Sequence, residues 1–180
     1  MKHFLRNRCK FIKRQIKQEQ KHTLFSINNE IKLSIQLLRY KATKNNVKIV
    51  FIKEASIKMF GDSLKFHHLV TNFISNAIDS YDKSYNGIKK KIEIHVKSFK
   101  TFTRLIIQDW GCGISKKNIH KIFNPLFTTK DFNNGFGIGL YTSKEVVEKD
   151  FNGKIKVKSQ KNKGTTFFID FPIKQRKKSL

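Results

Sequence analysis

The chain has 180 residues, 38% of them hydrophobic, which suits one compact domain with a genuine core plus a small appendage. Its net charge of +25 invites a polyanionic partner, but lysine far outnumbers arginine and no nucleic-acid reading module is present, so no specific nucleic acid is expected. No apolar run nears the ~20 residues of a membrane span, no apolar stretch follows the basic residues 1–11 as in a secretory leader, and Cys9 and Cys112 fit neither a disulfide framework nor a zinc site; a cytoplasmic chain is expected.

Residues 4–20 lack Pro and Gly and place Leu5, Cys9, Ile12 and Ile16 at intervals of four, three and four, the seam of a short coil that needs a partner helix. After a connection over 21–26, Asn28 is a plausible N-cap for a helix to about Lys44, with Glu30 in its first turn and Ile31, Ile35, Leu38 and Ala42 on its apolar side. Strands are predicted over 47–52 and 57–60. Gly61 and Asp62 form the turn that opens a long helix to about Tyr81. Alternation at Ile92, Ile94 and Val96, then over 102–108, predicts an antiparallel hairpin. A short helix over 115–122, an irregular loop over 124–137, a helix over 138–149 and strands over 154–159 and 165–171 complete the chain. Sheet segments interleaved with three helices imply an α+β fold, a two-layer sandwich of helices over a mixed, mostly antiparallel sheet.

In the long helix, Phe66, Leu69, Val70, Phe73, Ile74, Ala77, Ile78 and Tyr81 form one apolar face, and Asn72, Asn76 and Asp79 fall along one edge of it. Two side-chain carbonyls four residues apart suit a hard cation shared with phosphate oxygens. Asp109 ends a strand and is followed by Gly111 and Gly113, so a planar ring could approach the bare backbone while the carboxylate accepts from an amine. Gly135, Gly137 and Gly139 lie where a loop becomes a helix, and the free N–H groups there suit phosphate. Their spacing matches neither the dinucleotide fingerprint nor the P-loop.

Taken in order, the helix asparagines, Asp-x-Gly-x-Gly, Phe-x-x-x-Phe-Thr-Thr-Lys, Gly-x-Gly-x-Gly-Leu and Gly-Thr-x-Phe resemble the ATP-binding domain of sensor histidine kinases, within the superfamily of type II topoisomerases and heat-shock and mismatch-repair ATPases. The resemblance implies the Bergerat sandwich over residues 23–173, with residues 1–22 resembling the second helix of a dimerisation and phosphoacceptor hairpin and 174–180 a basic tail. It implies ATP and Mg²⁺ as cofactors, with Asn76 as direct metal ligand beside Asn72 and Asp79. Asp109 is then the adenine-amine acceptor, with Gly111, Gly113 and Ile114 shaping the base pocket and Thr165 supporting it. Phe123 and Phe127 anchor a lid, Thr128 and Thr129 follow them, and Lys130 reaches the terminal phosphate. Gly135, Phe136, Gly137, Ile138, Gly139 and Leu140 form the phosphate-binding glycine box. The implied partners are a phosphoacceptor hairpin, a response-regulator receiver domain and a second copy of the intact kinase.

Three departures qualify this picture. None of the six histidines stands in the expected His-acid-x-x-x-Pro context, so the acceptor lies outside this chain, and a regulatory or partner-switching module is the alternative reading. Asn72 replaces the water-activating Glu of the superfamily's hydrolases, which favours phosphoryl transfer over hydrolysis. Trp110, Asn124 and Phe136 replace smaller or acidic residues usual at their positions.

Overall fold

The computed structural model describes residues 22–53, 56–81, 90–129 and 137–173. The coil segment 4–20, the tail 174–180 and the site candidates Lys130, Gly135 and Phe136 lie outside the described residues. A two-stranded ribbon comes first in the chain: β1 (His22–Ser26) pairs antiparallel with β3 (Lys58–Asp62), joining Leu24 to Phe60 in register. The connection expected over 21–26 is thus a strand, and His22 belongs to it rather than to a preceding helix.

Two helices replace the single one expected over 28–44: α1 (Ile27–Leu37) and α2 (Arg39–Lys44), separated by a turn at Leu38 that no Gly or Pro announces. The N-cap is Ser26 rather than Asn28, its hydroxyl accepting from Asn29 N–H, and Asn28 is buried inside the first turn. Asp62 likewise caps α3 (Ser63–Asp79), its Oδ1 accepting from the N–H groups of Leu64 (3.0 Å) and Lys65 (3.1 Å), so it ends a strand and starts a helix at once.

A five-stranded sheet runs in the order β2 (Lys48–Lys53), β4 (Lys91–Ser98), β5 (Phe102–Asp109), β7 (Gly164–Pro172), β6 (Lys154–Gln160), with β2 parallel to β4 and the other pairs antiparallel. One face carries the core: Ile92, Ile94 and Val96 of β4, Leu105 and Ile107 of β5, and Phe167, Ile169 and Phe171 of β7 alternate inward, each buried. Against them α3 sets the apolar face read from its periodicity, every member of which is buried, with Phe66 packed on Phe25, Phe151 and Phe171. A two-layer α+β sandwich is the observed architecture, as the layer argument required, and it agrees with the Bergerat sandwich that the resemblance implied.

Short α4 (Lys116–Ile119) leads toward the lid region, and α5 (Gly139–Glu145) begins at the glycine box. The helix expected to Lys149 widens into a π-helical turn, Val146–Asp150, where Phe151 N–H reaches Val146 O at 3.2 Å. That turn buries Val147 and delivers Phe151 to the aromatic cluster.

Tyr81 ties the end of α3 to the sheet. Its hydroxyl donates to Lys91 O and accepts from the N–H of Lys91 (3.2 Å) and of Trp110 (2.8 Å), joining the start of β4 to the residue after β5. Tyr81→Phe strands three backbone groups where little water reaches, and equilibrium urea unfolding is expected to show a loss of about 1–3 kcal/mol. A loss near zero would mean the phenol is not a tie.

Candidate nucleotide site

Asp109 closes β5 with its carboxylate turned toward the helical layer, only 4% exposed. Its Oδ1 accepts from Gly111 N–H at 2.9 Å and from the Ser80 hydroxyl at 3.0 Å. Burial outweighs these bonds and the backbone contact with Thr165, and pushes the carboxyl up to about 6. A carboxylate kept so dry, with few donors of its own, is suited to accept from a ligand's amine.

The two glycines after it serve a purpose the sequence did not reveal. A Cβ on Gly111 would lie 2.0 Å from Ser80 Oγ, and one on Gly113, which has φ +61°, 2.0 Å from Gln160 O. The Cβ positions of these glycines are filled by the protein itself, so both must be bare for the fold to close there. Gly164, outside the expected site, belongs to the same joint: its φ is +95°, and a Cβ there would meet Asp109 O at 2.1 Å. Hydrogen bonds complete the clamp, Cys112 N–H to Ser80 O (2.9 Å), Asn162 N–H to Cys112 O (2.7 Å) and Ile114 N–H to Ser159 Oγ (2.8 Å). Thr165 is buried beside Asp109 as its register partner, its hydroxyl 3.0 Å from Ser159 Oγ. Sequence reading missed Ser80 and Ser159, which carry no local signal, and met Gly164 only as the first residue of the Gly-Thr-x-Phe motif, with no role of its own.

On α3, Asn72 Nδ2 lies 3.3 Å from Ser143 Oγ and 3.5 Å from Gly139 O, so its amide group bridges to the first turns of α5 and leaves Oδ1 as its remaining acceptor. Asn76 follows one turn later and is partly buried. Asp79 diverges: Lys41 of α2 holds its carboxylate at 2.5 Å and also donates to Ser75 at 2.7 Å. The expected trio is therefore a pair of asparagines plus an acid braced by another helix.

Phe123 and Phe127 pack against the core, Phe123 edge-on to Phe167, while Thr128 and Thr129 are exposed. Gly137 has φ +68°, and a Cβ there would sit 2.5 Å from Leu126 C, so the segment carrying the two phenylalanines closes directly on the glycine box. Ile138 and Leu140 flank Gly139, Leu140 resting on the core. Gly139 differs from its neighbours: its missing Cβ would find only the Asn72 amide, 3.8 to 4.0 Å away. No side chain caps α5.

The structure thus joins Asn72 to the glycine box and Asp109 to Thr165 and the Asp-x-Gly-x-Gly turn, with α3 supplying both Asn72 and the Ser80 contact. This defines a class, a two-layer sandwich with a buried acid and a glycine-started helix against one central helix. The family model for histidine kinase-, DNA gyrase B- and HSP90-like ATPases matches residues 61–175, and the chain belongs to that family. It is 29% identical over 153 residues to a probable C4-dicarboxylate sensor kinase of Bacillus subtilis, covering 83% of this chain and 28% of that protein. It is 26% identical over 168 residues to the autoinducer 2 sensor kinase/phosphatase LuxQ of Vibrio parahaemolyticus, covering 89% of this chain and 19% of that one. The chain therefore spans less than a third of the length of these curated relatives. Among solved structures, the catalytic domain of histidine kinase ThkA superposes with a TM-score of 0.71 at 26% identity, covering 84% of this chain and 95% of that one.

The glycine geometry sets expected stabilities without nucleotide. Gly111→Ala and Gly113→Ala are expected to cost about 2 kcal/mol or more each by thermal or urea unfolding, whereas Gly139→Ala stays within about 0.5 kcal/mol of the parent. Equal losses at all three positions would contradict the packing described.

Burial of Asp109 sets a second expectation. Below about pH 4 the carboxyl is protonated folded or unfolded; as pH rises toward about 6 the unfolded chain ionises first, so the fold loses stability and the loss is complete above that value. Asp109→Asn removes this cost, and its advantage over the parent is expected to be absent at acid pH and to reach about 1–3 kcal/mol above neutrality. Melting curves across that range test it, and an advantage independent of pH would count against the desolvated carboxyl.

Proposed function

We propose that this chain is the ATP-binding catalytic portion of a two-component sensor histidine kinase, passing the γ-phosphoryl group of ATP to a histidine on a hairpin supplied by a longer parent or by another chain. The observation that carries the reading is the desolvated Asp109 carboxylate at the end of β5, beside Thr165 of β7 and bonded by Ser80 at the end of the same central helix that reaches the glycine box through Asn72. Asp109 accepts from the adenine amine. The β6–β7 hairpin and the α3 terminus hold it in place, so little reorganisation is needed when the base arrives.

Asn76, with the remaining carbonyl of Asn72, would hold Mg²⁺, and the residues present fit that role. No group of three His, Cys, Asp or Glu that could hold a metal exists among the described residues, as suits a hard cation that borrows most of its ligands from phosphate and water. When bound, the ion neutralises polyphosphate charge. The chain itself aligns the phosphates at the start of α5, excludes water with the segment carrying Phe123 and Phe127, and brings Lys130 to the terminal phosphate. Asn72 at the place of a catalytic Glu offers no base to activate water, so transfer is favoured over hydrolysis. A receiver domain of a response regulator accepts the phosphoryl group in turn, the intact kinase acts as a homodimer, and the site of action is the cytoplasm. On the seam of Leu5, Cys9, Ile12 and Ile16, residues 1–21 are assigned to the second helix of the acceptor hairpin, and His22, which is in β1, is left out of it.

Incubation with labelled ATP, Mg²⁺ and a separately produced phosphoacceptor hairpin is expected to label the hairpin histidine. Tight ATP binding with no transfer to any hairpin would instead support a regulatory module. In calorimetric titrations Asp109→Asn is expected to weaken ATP binding at least tenfold, and Asn76→Ala to remove its Mg²⁺-dependent part. Because the amine contact needs the ionised carboxylate, affinity is also expected to fall as pH drops below about 6. ATP affinity unchanged in both variants would remove the site.

A further inference from the structure

The sheet has two faces, and among the described residues only one is covered by helices. On the other, every described side chain remains at least partly exposed. The strand registers place Lys154, Lys156 and Lys158 in a row along edge strand β6, about 7 Å apart, with Lys91 and Lys97 of β4 and Lys48 of the opposite edge β2 on the same face. Among the described residues only two acids lie there. Glu93 is bound to Lys91 and His95, and Asp170 takes both prongs of Arg104 at 2.6 and 2.7 Å. The other described acids lie in the ribbon, the helical layer or the site: Glu30, Asp62, Asp79, Asp109 and the cluster from Glu145 to Asp150. A uniform lysine bias would not sort acids this way. Lysines on an edge strand already hinder strand addition, but that role does not account for cations continuing across the face.

We infer that this bare face docks on an anionic lipid bilayer. The face is broad, and its cations are mostly lysines, point charges that need no precise geometry, Lys158 lying over the Phe168 ring. Nucleic acid fits less well. The one described arginine of the face, Arg104, has its fork spent on Asp170, and the Phe168 ring is already attended by Arg104 and Lys158 within 5.7 and 5.8 Å, so these groups offer neither bidentate phosphate readout nor a free stacking platform. The inference does not depend on the nucleotide site.

The test is co-sedimentation of the full chain with phosphatidylcholine vesicles with and without about 30% phosphatidylserine, at low and high salt. Two charge-matched triple variants decide it: Lys154→Glu with Lys156→Glu and Lys158→Glu on the bare face, and Lys32→Glu with Lys44→Glu and Lys117→Glu on the other side. The parent is expected to pellet only with acidic vesicles and to be released by salt. The β6 triple is expected to lose about a hundredfold in partitioning and the control triple less than about fivefold. Circular dichroism checks folding, and the corresponding Lys→Gln triple, with a smaller loss in the same order, replaces any variant that fails to fold. Equal losses in both triples, which would reduce the effect to net charge, overturn the inference. So does an unaffected β6 triple, which would place the binding in the basic termini, or tighter binding of an oligonucleotide lost in the same β6 triple.

Discussion

The joint between residues 109 and 113, clamped from both sides by the chain's own backbone, is the constraint on which the rest of the site depends. Ser80 presses on Gly111 from the end of α3, and the β6–β7 hairpin presses on Gly113 through Gln160 and on Asp109 through Gly164. Each approach is closer than any Cβ permits, so three glycines are required for one contact between a helix end, a strand end and a hairpin. The result is a carboxylate that is both desolvated and immobile. Such a group is costly to the fold when ionised, and for the same reason a strong acceptor for a ligand donor that replaces the lost water.

Helix α3 is the beam that connects this joint to the glycine box. Its apolar face lies on the sheet, its C-terminal end meets Gly111 through Ser80 and β4 through Tyr81, and its middle reaches α5 through Asn72. Base and phosphate ends of a nucleotide would therefore be referenced to one rigid element rather than to two loops. The lid segment is referenced to it less directly, through Phe123 on Phe167 and through the contact of Leu126 with Gly137.

The two faces of the sheet divide the chemistry. The fully buried residues of the inner face are apolar except for Thr103, Asp109 and Thr165, and the last two of these belong to the candidate site. The outer face carries most of its charge as lysine and confines its acids to internal ion pairs. Because side chains alternate along a strand, β5 and β7 serve both functions with no conflict: Asp109 and Thr165 point inward, Gln108 and Thr166 outward.

Periodicity made much of this legible in the sequence. The buried face of α3 and the alternation of β4, β5 and β7 depend on spacing within one element, and the ordered motifs marked Asp109, Asn72 and the glycine box before any coordinates. Local chemistry failed where the deciding partner is distant in the chain. Strand β1 exists because β3 lies beside it, the break at Leu38 has no local breaker, and Asp79 is claimed by Lys41. The reason for Gly111 and Gly113 is likewise a contact with residues 80 and 160, which no reading of the Asp-Trp-Gly-Cys-Gly string can supply. By itself the sequence determined the layers, the family and the side chains available for chemistry, since these follow from residue type and short-range spacing. Only the tertiary structure decided how dry Asp109 is, what the glycines make room for and which face of the sheet is left bare, because burial and close approach are properties of segments brought together from far apart.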